Sequence, residues 1–252
     1  MTEPLIYETL LILWLAISAV TFCALLLISA PYGRHSRRGF GPTMGATGGW
    51  IVMEIPAVIA FVIIYAMGDY AAHAAPLVLL AMWQTHYIHR TFIFPFRRKG
   101  GADMPVSIVS MGVFFNLVNA YLNARAISHL SPQLSPDWFT ELPFVVGVVL
   151  FFGGMAINIT SDNVLFSLRK PGEKNYKIPK GGFYRWVSCP NYMGELIEWF
   201  GWALATWSLG GLAFAIWTAA NLVPRAIAHD RWYREKFPDY PHQRRAIVPF
   251  VL

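Results

Sequence analysis

"WIVMEIPAVIAFVIIYAM", Trp50 to Met67, is 18 residues long and holds a single charged group, Glu54. About 20 mainly apolar residues suffice for a helix to cross the hydrocarbon core of a bilayer, so the stretch reads as most of a membrane span. A charge at the bilayer centre costs at least about 2.5–3.5 kcal/mol, so Glu54 needs a partner, a proton or a purpose. The composition agrees with a membrane setting. Of 252 residues, 56% are hydrophobic and 13% charged, against the roughly 25% charged of a soluble domain.

Working outward from this stretch, seven apolar runs of spanning length occur, near 5–30, 49–67, 71–90, 105–128, 143–166, 190–207 and 210–229. The first follows an acidic N-terminus, MTEPLIYETL, and is longer than a signal-peptide core, so a retained membrane helix is expected. Ser208-Leu209-Gly210-Gly211 suits a tight turn between the last two helices. The two cysteines, Cys23 and Cys189, are too few for a disulfide framework and are read as free thiols.

Basic residues orient the bundle, because cytoplasmic loops are enriched in Lys and Arg. Nineteen of the 20 lie on one face, in loops, at helix ends and in the tail; Arg125 alone falls on the other. That division requires an odd number of spans. The expected fold is therefore an all-α integral membrane protein of seven transmembrane helices, one domain over 1–252, with the N-terminus outside and the C-terminus cytoplasmic. The membrane is a bacterial inner membrane, or the endoplasmic reticulum in a eukaryote. Most of the cations serve orientation and anionic-lipid contact, and the net charge of +6 does not imply nucleic acid. No obligate protein partner is implied. The loop RKPGEKNYKIPKGGFYRW, from Arg169, differs in kind. Its cations are interleaved with prolines, glycines and aromatics, as in a formed loop that holds an anion.

Residues spaced by three or four share a helix face. "INITSDNVL" puts Asn158 and Asp162 on one stripe, "NYMGELIEW" aligns Asn191, Glu195 and Glu198, and "RAIAHDRWY" aligns Arg225, His229 and Tyr233. Intramembrane ionisable groups usually face a cavity and mark function. Three such stripes at the cytoplasmic level suit a phosphate-bearing ligand whose less polar part reaches into the bundle. In "WQTHYIHRTF", His86 and His89 have HxxH spacing, yet seven scattered histidines, without CxxC or HExxH, do not make a metal site. No metal is expected. GxSxG is absent, and the glycine-rich 33–49 segment has no strand before it.

The strings "NITSD", "LRKPGE", "NYMGELIEWFGWALATWSL" and "RWYREKFPDYPHQRRAIVPF", with "HYIHRTF" and "MEIP", resemble the steroid 5α-reductase family, NADPH-dependent membrane enzymes built as seven-helix bundles. The resemblance covers roughly residues 50 to 252. It implies that Glu54 and Tyr87 are the catalytic pair at the C3 ketone of a 3-oxo-Δ4 steroid. It also implies that NADPH is held by Asn158, Asp162, Arg169, Tyr176, Asn191, Glu195, Arg225, His229 and Tyr233. Residues 169–189 would then form a cytoplasmic cofactor loop and 230–252 a cytoplasmic tail. Glu198 and Trp199 match the same motif without an assigned role, and Thr160 stands where animal members commonly have His.

In low dielectric a carboxyl keeps its proton, so Glu54 is expected to be a neutral acid able to donate a hydrogen bond. With Tyr87 it would polarise the ketone, make C5 electron-poor, and leave C4 to be protonated after hydride transfer. Arg169, with Lys170 or Lys174, is the expected partner of the 2′-phosphate. Partners are thus a steroid or steroid-like lipid and the surrounding lipids. Two other chemistries compete: reduction of another enone, enoyl or polyprenol lipid, and methyl transfer of the isoprenylcysteine type. "YRWVSCPNYMGE" lacks the Arg-His pair before Pro190 that the latter pattern carries.

Overall fold

Helix α1 (Glu3–Leu27) buries Tyr7, Leu11, Trp14 and Ser18, one stripe at helical spacing, and leaves Leu13, Val20 and Leu27 exposed on its other faces. Such a helix packs on one side and meets lipid elsewhere. The computed structural model describes residues 2–28, 39–98, 102–131, 134–168 and 175–252. Among them α1 is followed by α2 (Ala46–Ala66), α3 (Ala74–Ile88), α4 (Phe94–Arg97), α5 (Val106–Arg125), α6 (Leu142–Ser167), α7 (Pro190–Thr206) and α8 (Leu209–Lys236). Among the described residues extended structure is limited to one antiparallel pair, β1 (Thr43–Met44) with β2 (Met104–Pro105), and a bridge between Val187 and Arg245. The fold is all-helical. Among the described residues five helices are long and apolar enough to cross a membrane: α1, α2, α5 with its continuation to Leu130, α6 and α8.

The remaining two expected spans take other forms. The helix begun by α3 does not end at Arg90. It passes through a π turn, His89–Ile93, directly into α4. Helix α7 has 17 residues, about 25 Å of rise, and opens on Pro190, whose missing N–H costs nothing at a helix start. Helix α8 runs seven residues beyond its expected end at 229, carried by polar residues that include an Asp230–Arg234 ion pair one turn apart.

The turn expected at Ser208–Gly211 is shorter. Trp207 takes a left-handed conformation (φ 46°), and Ser208 caps α8 by accepting from Gly211 N at 3.0 Å. Both glycines lie inside α8. A side chain on Gly210 would meet the Tyr7 hydroxyl and Leu122 O at 2.6 and 2.7 Å, so this position serves contact between α8, α1 and α5 rather than chain reversal.

Glycine also sets the closest approach in the bundle. A Cβ on Gly147 would stand 2.7 Å from Gly201 O, and one on Gly201 would stand 2.7 Å from Gly147 O. Seven residues along each helix, Gly154 and Gly194 make the same reciprocal contact, at 2.5 and 2.6 Å. Helices α6 and α7 therefore touch backbone to backbone, as small residues permit inside membranes. Beside this contact Trp83, Trp199, Trp202, Phe61, Phe151 and Phe214 form the aromatic centre of the core. At the opposite end from the loops rich in cations, Arg125 is clamped by both oxygens of Glu3 (2.6 and 2.8 Å), which ties α5 to the start of α1.

Adjacent glycines give a test of the helix contact. Gly154→Ala is expected to destabilise the protein by about 1–3 kcal/mol, because backbone atoms of α7 must move. Gly153→Ala, with open space around it, should be neutral or stabilising by up to about 1 kcal/mol. Thermal unfolding in detergent reads both.

Candidate active site

Helices α2 and α3 are held in register by two indoles. Trp50 Nε1 donates to Arg90 O (3.0 Å), and Trp83 Nε1 donates to Ala57 O (2.8 Å). The helices are antiparallel, so these contacts bracket Glu54 and set it level with His86 and Tyr87. Glu54 and Tyr87 are 8% and 4% exposed and lie within electrostatic reach of each other. Pro56 removes one N–H from the ladder of α2 and crowds the turn before it. In that turn the Asn116 amide of α5 donates to Met53 O at 2.7 Å and to Glu54 Oε2 at 3.2 Å.

One residue back from Tyr87, His86 Nδ1 is hydrogen-bonded to Glu198 Oε1 of α7 at 2.7 Å. Glu198 is fully buried, and its Oε2 has no partner among the described residues. The His86 ring stands edge-on to both Tyr87 and Trp199, with centroids 4.9 and 4.6 Å away. Spacing alone groups Glu198 with Asn191 and Glu195; its carboxyl instead bonds His86 of α3.

The C-terminal half of α6 and the N-terminal half of α7 carry a second polar group. Asn158 Nδ2 donates to Asn191 O (2.9 Å) and to Glu195 Oε2 (3.4 Å), and Asn191 Nδ2 donates to Asp162 Oδ1 (3.0 Å). Four of the expected cofactor residues are thus joined. Arg90 connects this group to the first, with Nη2 3.8 Å from Glu195 Oε2 and its guanidinium over the rings of Trp50 and Phe94. On α8, Arg225 donates to the Tyr192 hydroxyl (3.0 Å), which also bonds His229 Nε2 (3.2 Å). Tyr176 packs edge-on to Trp232, beside Tyr233. Arg169, Lys170 and Lys174 lie outside the described residues.

The tail fixes the approach to α7. Ser188 N and Cys189 N donate to Arg245 O and Ala246 O, at 2.7 and 3.0 Å. Ser188 Oγ donates to Asp230 Oδ1 (2.6 Å), so the Tyr240 hydroxyl, 2.6 Å from Oγ, is the donor in the next bond. Burial pushes the Tyr240 phenol above its ordinary range, against the pull of Ser188 and Arg244, which keeps that donor proton in place at neutral pH. Arg244, 4% exposed, donates to Pro179 O at 2.9 Å, and Tyr240 stacks on Tyr233 at 5.1 Å. The tail thereby braces the segment before α7 and one face of the expected cofactor residue Tyr233.

Comparison with known proteins matches residues 102–252 to the family described as 3-oxo-5-alpha-steroid 4-dehydrogenase. The chain is 42% identical to the steroid 5-alpha-reductase DET2 of Arabidopsis thaliana, over 92% of this chain and 91% of that protein. It is 41% identical to 3-oxo-5-alpha-steroid 4-dehydrogenase 1 of Macaca fascicularis (88% and 84% covered) and 38% identical to that of Homo sapiens (99% and 97%). The chain belongs to the steroid 5-alpha-reductase family.

Within this family member, the polar residues that sequence spacing misses are those that bond across helices. Asn116, Asn119 and Asn123 form a stripe on α5. Asn119 Oδ1 accepts from Trp14 (3.3 Å) and Asn123 Oδ1 accepts from Trp202 (2.8 Å), while Asn116 reaches Glu54. Three asparagines at helical spacing in an apolar run are the signal that could have found them. The His86–Glu198 pair gives a stability test. Glu198→Leu leaves the imidazole without its partner and should cost about 3 kcal/mol in thermal unfolding. Adding His86→Phe should recover most of that loss, because two apolar side chains replace a buried polar pair with little penalty.

Proposed function

We propose that this membrane oxidoreductase reduces the Δ4 double bond of 3-oxo steroids to 5α-dihydro products, with NADPH as reductant and Glu54 and Tyr87 polarising the C3 ketone. The observation that carries the reading is the levelling of Glu54 and Tyr87, two buried proton donors on facing helices, beside a polar group at the cytoplasmic ends of α6, α7 and α8. Glu54 acts as a neutral acid. It and Tyr87 donate to the ketone oxygen, drawing electron density from C5 and stabilising the enolate that forms as C5 is reduced. Hydrogen-bond donors aimed in advance at a developing oxyanion lower a barrier strongly, because they need no reorganisation as the charge appears.

The residues present suit a dinucleotide. Asp162 and Glu195 supply acceptors for ribose hydroxyls, Asn158 and Asn191 supply amides already oriented by each other, and Arg225 with His229 supplies cationic and donor groups for phosphate oxygens. Arg169 is assigned to the 2′-phosphate, which gives a preference for NADPH over NADH. When bound, NADPH supplies the hydride. Arg90 lies between the carboxylates of the two groups and links substrate and cofactor ends of the site.

In the same reading, the helix from Ala74 to Arg97 and α7 complete seven spans around one domain, with the loop 169–189 and the tail 230–252 in the cytoplasm. The location of Arg125 at the opposite end from the remaining cations supports that orientation. A reporter fused after Leu252 is expected to behave as cytoplasmic; an external signal contradicts the topology.

Membranes carrying the chain, incubated with NADPH and testosterone or progesterone, should yield the saturated 5α product. Tyr87→Phe deletes one donor and should lower turnover about 10²–10³-fold. NADPH affinity should change little. Full activity in Tyr87→Phe contradicts the assignment.

A further inference from the structure

On α5, a side chain at Gly112 would overlap that of Met53 on α2. This close approach seats the next turn of α5 against α2, and Asn116 on that turn donates both to Met53 O (2.7 Å) and to Glu54 Oε2 (3.2 Å). The first bond decides the meaning of the second. A backbone carbonyl only accepts, so the group facing it must be the amide NH2, not the amide oxygen. That NH2 carries two hydrogens, and the second points at Oε2. Oxygen Oε2 is therefore an acceptor, a part that the carbonyl oxygen of a carboxylic acid plays better than its hydroxyl.

We infer that Asn116 is a positioning residue which assigns the proton of Glu54 to Oε1, leaving that O–H as the donor to the substrate carbonyl. The inference rests on the reading of Glu54 as the neutral catalytic acid. Among the described residues Oε1 makes no hydrogen bond, so the hydroxyl on that side is available to a ligand. Without Asn116, either oxygen of Glu54 can carry the proton, and the acid can turn its carbonyl oxygen toward the ketone. Two acceptors then face each other, and the donor is lost for that fraction of encounters. Sequence spacing does not reveal this role, because Asn116 is one of three asparagines in α5 and only the contact with Met53 O fixes its amide.

Asn116→Leu, of similar size and without a donor, is measured with Asn116→Ala as a second variant in case the larger side chain prevents folding. Dinucleotide binding verifies the fold of each. Both are expected to lower kcat about ten-fold, with steroid KM and dinucleotide Kd held within about two-fold. In a Glu54→Ala background the same substitutions should add no further loss, because Asn116 acts through that acid. In infrared difference spectra taken against Glu54→Gln, the acid carbonyl stretch of Glu54 should move to higher frequency once the Asn116 N–H is gone.

Unchanged kcat in both variants overturns the inference, as does a loss that multiplies in full in the Glu54→Ala background, or an unmoved carbonyl stretch. If Glu54→Ala itself keeps full turnover, the catalytic reading of Glu54 falls and takes this inference with it. Strong dependence on Glu54 combined with indifference to Asn116 overturns the inference alone.

Discussion

Backbone contact between α6 and α7 is the constraint on which the polar architecture depends. Two reciprocal glycine pairs, Gly147 with Gly201 and Gly154 with Gly194, leave no space for a Cβ between the helices. In lipid, helices gain little from burying apolar area against each other, so close van der Waals approach and polar bonds must hold them. The glycines supply the approach, and the polar bonds follow from it. Asn158 sits one turn beyond Gly154 and reaches Asn191 O; Glu195 directly follows Gly194; Glu198 lies one turn farther and meets His86. A wider separation of α6 and α7 would break the bonds of Asn158 and Asn191 together.

The surroundings of Glu54 and Tyr87 are organised by a different device. Indole donors on α2 and α3 reach across to backbone carbonyls, and the asparagine stripe of α5 bonds Trp14, Trp202 and the Glu54 turn. Each side chain satisfies a polar group that would otherwise be exposed to hydrocarbon. Pro56 removes an N–H from α2 and so frees Val52 O, one residue before the Met53 O that Asn116 reaches. Beneath Tyr87, tilted aromatic rings from Trp83 to Phe214 fill the bundle, and an apolar surrounding strengthens the polar bonds beside it.

The helical runs and the polar stripes of α6, α7 and α8 are legible in the sequence, because hydropathy reports burial in lipid and spacing by three or four reports a shared face. What a face meets is a tertiary fact. Glu198 shares a stripe with Asn191 and Glu195, yet its carboxyl belongs to His86 of α3. Gly153 and Gly154 are neighbours in the chain, and only the contact with α7 separates a spacer from a critical position. Gly210 and Gly211 carry a turn composition and lie inside α8, because close packing, of Gly210 on Tyr7 and Leu122 and of Gly211 on Thr206 and Ala203, uses the same residue type. The extension of α8 beyond 229 has a local cause in the Asp230–Arg234 pair, which hydropathy does not register.

In the proposed reaction one acid and one phenol grip the same substrate oxygen. A structure of the protein with NADP+ and a 5α-dihydro-3-oxo steroid tests it most directly. The account predicts the C3 oxygen within hydrogen-bond reach, about 2.6–3.2 Å, of both Glu54 and the Tyr87 hydroxyl. A steroid bound with that oxygen away from either group contradicts it.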